Sequence, residues 1–321
     1  MMVIAELVEA LRLLVQGVPG LTTLASAPYL FRPLVMLVVL GVVCAIVGVA
    51  VNLRCAEFQA EALVHAVFPG IVAGAVYLGT EGIVPAASLA GVVAAAVLTW
   101  VGYRARREAS EAGTAVVLTT FFSVGLVLLL AKGDMSGQLE ALMFGRLLSA
   151  TDAKFSQAVL VSVVALVLVA LTWKEQVLLA FDQVGAWAGG LRPLALDLLL
   201  NMSVAAIVVS SSVAVGTLLA IGYIILPAAT GRVLGRSVRS MTLIALGVGV
   251  VSAYLGMLAA VAPSPHPVSP QAVVVLIMAV FLVAAVPVRS VLTRVGPWRL
   301  TDSPRQAAQD GAGRPEKVVA P

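Results

Sequence analysis

Hydrophobic residues along this chain do not alternate with polar ones. They run in long blocks separated by short polar or Pro- and Gly-containing breaks. Each block approaches the ~20 residues that an α-helix needs to cross a ~30 Å hydrocarbon layer. Nine candidate spanning helices follow: 33–53, 61–79, 83–103, 113–131, 156–173, 194–211, 214–231, 240–262 and 270–288. The predicted fold class is all-α, a polytopic integral membrane protein. Only Ser210, Ser211 and Ser212 divide the sixth block from the seventh, and they fit either a tight turn between two spans or a break within one. Ahead of the first block, Ile4, Leu7, Val8 and Leu11 share one helical face, while Glu6 and Glu9 interrupt the apolar run. Residues 1–30 therefore read as an amphipathic segment lying along a membrane surface rather than as a signal peptide. Residues 31–290 form the membrane domain. Residues 291–321 end in a polar tail rich in Pro, Gly and Ala that reads as disordered and cytoplasmic.

Composition strengthens this reading. Of 321 residues, 61% are hydrophobic and only 11% charged, with a mean hydropathy of +1.07; a soluble domain carries about 25% charged residues. The net charge of +4 comes largely from loop arginines and reports topology, not nucleic-acid binding. Arg54, the cluster Arg104, Arg106 and Arg107, then Lys174 and Arg192, then Arg232, Arg236 and Arg239, and the tail all fall on one side of the predicted spans. Of the 20 Lys and Arg, only Arg12, Arg32, Lys132, Arg146 and Lys154 fall on the other. The cation-rich side is cytoplasmic by the positive-inside rule, and an odd number of spans puts the N-terminus outside and the C-terminus inside. Cys44 and Cys55 are isolated and form no disulfide framework or CxxC pair. No GxxxxGK[ST] phosphate loop, HExxH or GxSxG motif occurs, so nothing points to ATP hydrolysis by the chain itself or to another enzymatic centre.

The chemistry concentrates in RCAEFQAEALVHAVFPG, Arg54 to Gly70. An ionised residue inside a span costs roughly 2.5 kcal/mol or more at its centre, so such residues generally face a polar path. Glu57, Glu61 and His65 are spaced four residues apart and share a helical face. Carboxylates with an imidazole suit a divalent transition ion such as Mn²⁺, Zn²⁺ or Fe²⁺, and the same groups suit a proton relay. Plainer roles fit too: Glu57 as a solvated helix-start residue near Arg54, Glu61 as a charge favoured by the helix dipole, and His65 bonded to a backbone carbonyl. Pro69 and Gly70 loosen the helix one turn later, and Pro227 does the same in the seventh span. Asp197 is a second intramembrane acid, best read as interfacial, with Asn201 one turn on as its candidate partner. Ser123, Ser210, Ser211, Ser212, Thr217 and Thr230 read as polar packing contacts. His266, in the Pro-rich turn PSPHPVSP, reads as incidental.

These segments resemble the permease subunits of manganese, zinc and iron ABC importers, the ABC-3 family. AEALVHAVFPG, Ala60 to Gly70, is similar to the family's G-[DE]-A-L-x-H-[AT]-V-x-P-G signature. Four further segments match in order: Glu111 to Leu129, Phe144 to Phe155, AFDQVGAWAGGLRPLALDLLL, and VAVGTLLAIGYIILPAATGRVL. The resemblance runs from about Tyr29 to Val288. It implies a permease fold in a bacterial cytoplasmic membrane, with a path between two permease copies, either a homodimer or a pair with a paralogous permease.

The same resemblance implies a separate ABC ATPase that binds and hydrolyses ATP, an extracellular metal-binding protein that delivers the ion, surrounding lipid, no nucleic acid, and no permanently bound cofactor. The transported divalent metal is cargo. The family's central metal position falls on Glu61 and His65. Glu61 stands where many members carry Asp, while Glu57 stands where a small polar residue is common, so no family role transfers to it. Phe181, Asp182, Ala186, Gly189 and Gly190 match the cytoplasmic segment implied to contact the ATPase; Gly185 and Trp187 there depart from the family pattern, as does the loop holding His266. The competing expectation is an ion- or proton-coupled secondary metal transporter that works without an ATPase.

Overall fold

The computed structural model describes residues 2–17, 20–79, 81–104, 107–131, 152–214, 216–262 and 269–295. His266, Lys132, Arg146, most of the 144–155 segment and the tail beyond residue 295 lie outside the described residues. The described chain is helical throughout. Its elements are α1 (Met2–Val15), α2 (Thr22–Ala25), α3 (Pro28–Leu53), α4 (Glu57–Ala66), α5 (Phe68–Ala73) with a π-helical turn over Gly74–Leu78, α6 (Ile83–Arg104), α7 (Arg107–Leu130), α8 (Asp152–Leu171), α9 (Trp173–Phe181), α10 (Gln183–Ala188), α11 (Pro193–Ala214), α12 (Thr217–Leu234), α13 (Val238–Val261) and α14 (Pro270–Val295).

Each of the nine predicted blocks is helical, but the count of nine spans does not follow. Among the described residues seven helices are long and apolar enough to cross a membrane, α4, α5 and the π-turn together making one of them. The bent pair formed by α8 and α9, which meet at 58°, makes an eighth at most, and α12 is a shorter apolar helix. The serines do not form the turn. Ser211 and Ser212 bond back to Val208 and Val209 within α11, while Ser210 bonds to Ser162 and to the Ala158 carbonyl of α8. The chain reverses later, at Gly216 with φ of 93°.

α3 is the axis of the bundle and its most deeply buried span. On one side it packs against α12 and α13, which are joined by α14; on the other it meets α8 and α11, backed by α6. α4 and α5 lie against α6 and α7, and α4 also touches α11 and α12. Hydrophobic burial gives little preference between helix and lipid contacts, so close van der Waals packing through small residues decides the crossings. Gly41 of α3 faces Gly249 of α13, where a Cβ on Gly41 would sit 2.9 Å from the Gly249 carbonyl oxygen and one on Gly249 would sit 2.7 Å from that of Gly41. About two turns further along α3, a Cβ on Gly48 would collide with the Ile224 carbonyl of α12.

The N-terminal helix is stitched to this core as well. Val8 is buried in it, and Arg12 pairs with Glu9 while donating 2.9 Å to the Ala25 carbonyl. The predicted apolar face divides: Val8 turns inward, whereas Leu7 and Leu11 remain exposed.

The packing at Gly48 yields a measurable expectation. Gly48→Ala forces backbone apart at the α3–α12 crossing, at a cost of about 1–3 kcal/mol. It should lower the unfolding temperature in detergent, whereas Gly247→Ala, where nothing lies within 4 Å of the added methyl, should leave that temperature unchanged or raise it.

Candidate metal site

The site is built on the second span. α3 ends at Leu53, and the three residues Arg54, Cys55 and Ala56 turn the chain into α4. Cys55 is the one non-glycine residue with positive φ among the described residues, at 52°. α4 buries Ala60, Ala62, Leu63, Val64 and Ala66 against the bundle. Glu61 points away from that face and is exposed; His65, one turn on, is half-buried, and the Glu61 carboxylate is in electrostatic contact with its ring. The ring meets Phe122 of α7 edge-on, with centroids 5.3 Å apart, and Phe122 meets Phe68 at the same spacing. This aromatic shelf supports the imidazole from the α7 side. Phe122 was not singled out by sequence, although it lies in the matched 111–129 segment.

Pro69 has no N–H to give the His65 carbonyl four residues earlier, which ends α4 and restarts the helix as α5. The span continues through this break. Pro227 likewise sits inside α12 without ending it.

Glu57 does not join the pair. Its carboxylate accepts a 2.9 Å hydrogen bond from the Asn52 amide, whose oxygen in turn accepts from Arg232 at 3.0 Å. Among the described residues no three His, Cys, Asp or Glu side chains group as a metal-ligand set. Glu61 and His65 bring one carboxylate and one imidazole to successive turns of α4, an oxygen and a nitrogen of the kind borderline divalent ions accept.

Asp197 is not paired with Asn201. It forms an ion pair with Arg54, and Asn201 instead donates 3.0 Å to Thr99. Arg54 also donates 2.6 Å to Gln176, which bonds to the Leu196 carbonyl at 2.8 Å. The parts of Gln176 and Arg232 in these networks were not legible from local spacing, since Arg54–Gln176 and Asn52–Arg232 join residues 122 and 180 apart, whereas Asn52–Glu57 is a local contact across the α3–α4 turn. Together they line up at one end of the bundle. A polar cavity of about 660 Å³ opens there between the α3–α4 turn, α6, α9 and α11.

The α9–α10 corner borders that cavity. Asp182 caps α10 by accepting 2.8 Å from Gly185 N–H, and any side chain at Gly185 would press on the Asp182 carboxylate. That gives a physical reason for glycine at this position. Gly190, with φ of 83°, turns the chain so that Leu191 bonds back to Ala186. Ala186 itself is buried in a small cluster with Leu179 and Leu196, tying the corner to α11. Phe181, Val184 and Trp187 stand exposed on its outer side, each more than 70% accessible.

Comparison with known proteins follows from this geometry. The profile of the ABC 3 transport family matches residues 26–289. The chain belongs to the ABC 3 transport family. Among its relatives, the chelated iron transport system membrane protein YfeC of Yersinia pestis is 29% identical over 71% of this chain and 76% of that protein. The manganese transport system membrane protein MntC of Listeria monocytogenes is 29% identical over 71% of this chain and 80% of that protein. A chain of the solved PsaBC complex from Streptococcus pneumoniae with a Fab superposes with a TM-score of 0.71, at 24% identity, over 87% of this chain and 95% of that one. This ABC 3 family chain is therefore a multi-pass membrane permease by fold and family, consistent with the seven to eight long apolar helices among its described residues.

The capping geometry at the α9–α10 corner is open to direct test. Asp182→Ala should cost roughly 1 kcal/mol locally. It should raise amide hydrogen exchange over 183–188 while leaving exchange in α3 and α13 unchanged.

Proposed function

We propose that this chain is the permease subunit of an ABC importer that moves a divalent transition metal, Mn²⁺, Zn²⁺ or Fe²⁺, into the cytoplasm, with Glu61 and His65 as ligands in its path. The observation that carries the reading is an exposed carboxylate, Glu61, followed one turn later on α4 by a half-buried imidazole, His65, just before the break at Pro69. A carboxylate facing hydrocarbon would cost about 2.5 kcal/mol or more, so water or a protein surface must meet it. Thr119, Thr120 and Ser123 of α7 lie exposed beside a shallow groove that Val124 and Val127 complete. Small hydroxyl side chains on a membrane helix favour a second helix over lipid. A second permease copy, identical or paralogous, seated there encloses the path and supplies the missing ligands. Glu57, held by Asn52, serves as an anchor of the helix start and not as a direct ligand.

The exposed apolar ridge of Phe181, Val184 and Trp187 is the docking surface for the separate ATPase, with Asp182, Gly189 and Gly190 shaping it and Ala186 securing it from within. Arg54, Arg232 and Arg289 gather at this same end, Arg289 bonding to the Val233 carbonyl next to Arg232. By the positive-inside rule that end is cytoplasmic, with the C-terminus inside and the N-terminus outside. The opposite end then receives the metal-binding protein. The N-terminal helix, with Leu7 and Leu14 exposed, rests against the outer lipid surface.

Proteoliposomes containing the permease and its ATPase test the reading. Glu61→Ala and His65→Ala should each lower ATP-driven uptake of Mn²⁺ or Zn²⁺ by roughly 10–100-fold, with membrane insertion and ATPase co-purification intact, while Glu57→Gln keeps most of the uptake. Wild-type uptake in both alanine variants sinks the site assignment. Uptake that stops when ion gradients are collapsed, and proceeds without ATP, would mark a secondary transporter instead.

A further inference from the structure

Arg54 does more than mark a helix end. Its side chain is only 13% exposed, yet it carries a full charge at the edge of an apolar bundle. Its guanidinium spans two elements: it donates to the Gln176 side chain of α9 and forms an ion pair with Asp197 of α11. Gln176 is itself buried and reaches across to the Leu196 carbonyl, so all three groups form one closed polar clasp. α9 leads through Asp182 directly into the exposed corner of Phe181, Val184 and Trp187. On the other side, Arg54 is the residue that ends α3, and only Cys55 and Ala56 separate it from α4. At 1.5 Å per residue, Glu61 and His65 lie about 6 and 12 Å along that helix from Glu57.

Three further observations bear on how displacement would pass through this point. The turn is conformationally tight, since Cys55 holds a positive φ that a side chain rarely adopts. Asn52, one turn before, grips Glu57 at the start of α4, so the turn and the helix start move together. Space for movement exists, because the 660 Å³ cavity is lined by Arg54, Cys55, Gln59, Phe181 and Asp197, whereas a close-packed interior would resist displacement.

We propose that Arg54 is a positioning residue that couples the α9–α10 corner to the metal helix: through its clasp on Gln176 and Asp197, displacement of the corner is delivered to α4 and to Glu61 and His65. This rests on the reading that the corner receives the ATPase. A guanidinium suits the role, because its planar fork holds two acceptors in fixed directions where an ammonium would hold a point contact. Arg54 touches neither the metal nor ATP.

The test uses the assembled permease–ATPase complex in proteoliposomes. Arg54→Ala should retain ATPase co-purification and ATP hydrolysis while moving about tenfold fewer metal ions per ATP, the range expected when a coupling contact is removed. Asp197→Asn, which keeps size and an acceptor but removes the charge, should fall in the same direction and carries the test if Arg54→Ala does not assemble. The exchange Arg54→Asp with Asp197→Arg should recover part of the lost ratio.

Cys55 supplies an independent readout, as it is exposed while Cys44 is buried. In the wild-type complex its maleimide labelling rate should differ between nucleotide-free and ATP-trapped states, and in Arg54→Ala the two rates should converge. A wild-type ion-to-ATP ratio in both single variants overturns the proposal. So does an equal loss of hydrolysis and transport with nucleotide-dependent labelling preserved, which marks Arg54 as merely structural. If the corner is not the ATPase dock, a Phe181→Ala/Trp187→Ala variant will still co-purify the ATPase in full yield; that result also overturns the proposal, and is told apart from a failed clasp by the intact docking.

Discussion

An ionised side chain in an apolar helix bundle must be paired, solvated or bound, because each alternative contact with hydrocarbon costs several times thermal energy. Several of the described polar groups near the spans meet this constraint, in two different ways. At one end of the bundle they are closed on one another: Arg54 on Asp197 and Gln176, Asn52 on Glu57 and Arg232, Asn201 on Thr99. About 6 and 12 Å along α4 from Glu57, Glu61 is exposed and His65 is half-buried with its ring edge-on to Phe122. Closed networks lend rigidity and place helices relative to one another, whereas an open donor pair keeps coordination capacity for a guest. A single sequence segment, Arg54 to Gly70, contains the boundary between the two regimes.

The bundle around this segment makes the distinction possible. α3 is held to α13 and α12 by close backbone approaches at Gly41–Gly249 and Gly48–Ile224, so the axis from which the turn departs is fixed. α4, by contrast, presents one face to α7, α11 and α12 and another to the outside. The span then loses regular hydrogen bonding at Pro69 and ends in the π-turn Gly74–Leu78. Such departures are common at sites where a helix must adjust.

Much of this architecture was legible in the sequence. Block length set the helices, and their edges fall within a few residues of the observed ones at Leu53, Arg104 and Val261. The i, i+4 spacing put Glu61 and His65 on one face, since that relation is local and depends only on helix geometry. Spacing did not reveal that Glu57 accepts a hydrogen bond from Asn52, because it reports which residues share a face and not which neighbours bond to them. Arg54's partners lie 122 and 143 residues away, beyond any local pattern. Asn201 chose Thr99 over Asp197, although Asp197 is one turn away, because a neighbouring helix offered a hydroxyl and Asp197 was already engaged by Arg54. The span count failed for a related reason: hydrophobicity marks a helix as buried in lipid or protein, and the shorter α12 and bent α8–α9 pair satisfy it without each having a full crossing length.

These features together favour one direction of mechanical response. The start of α4 is held through Asn52 and Arg54 to four other helices, namely α3, α9, α11 and α12, while its far end runs into a proline break and a π-turn. A helix fixed at one end and compliant at the other turns displacement of the fixed end into a change of tilt, with the compliant end absorbing the strain. Glu61 and His65 lie between the two, where tilt alters how far their donor atoms stand from an opposing surface. Under the proposed function, in which Glu61 and His65 give two ligands from one chain, a change of about an ångström in that distance separates a completed coordination shell from an open one, because metal–oxygen and metal–nitrogen bonds tolerate only a few tenths of an ångström.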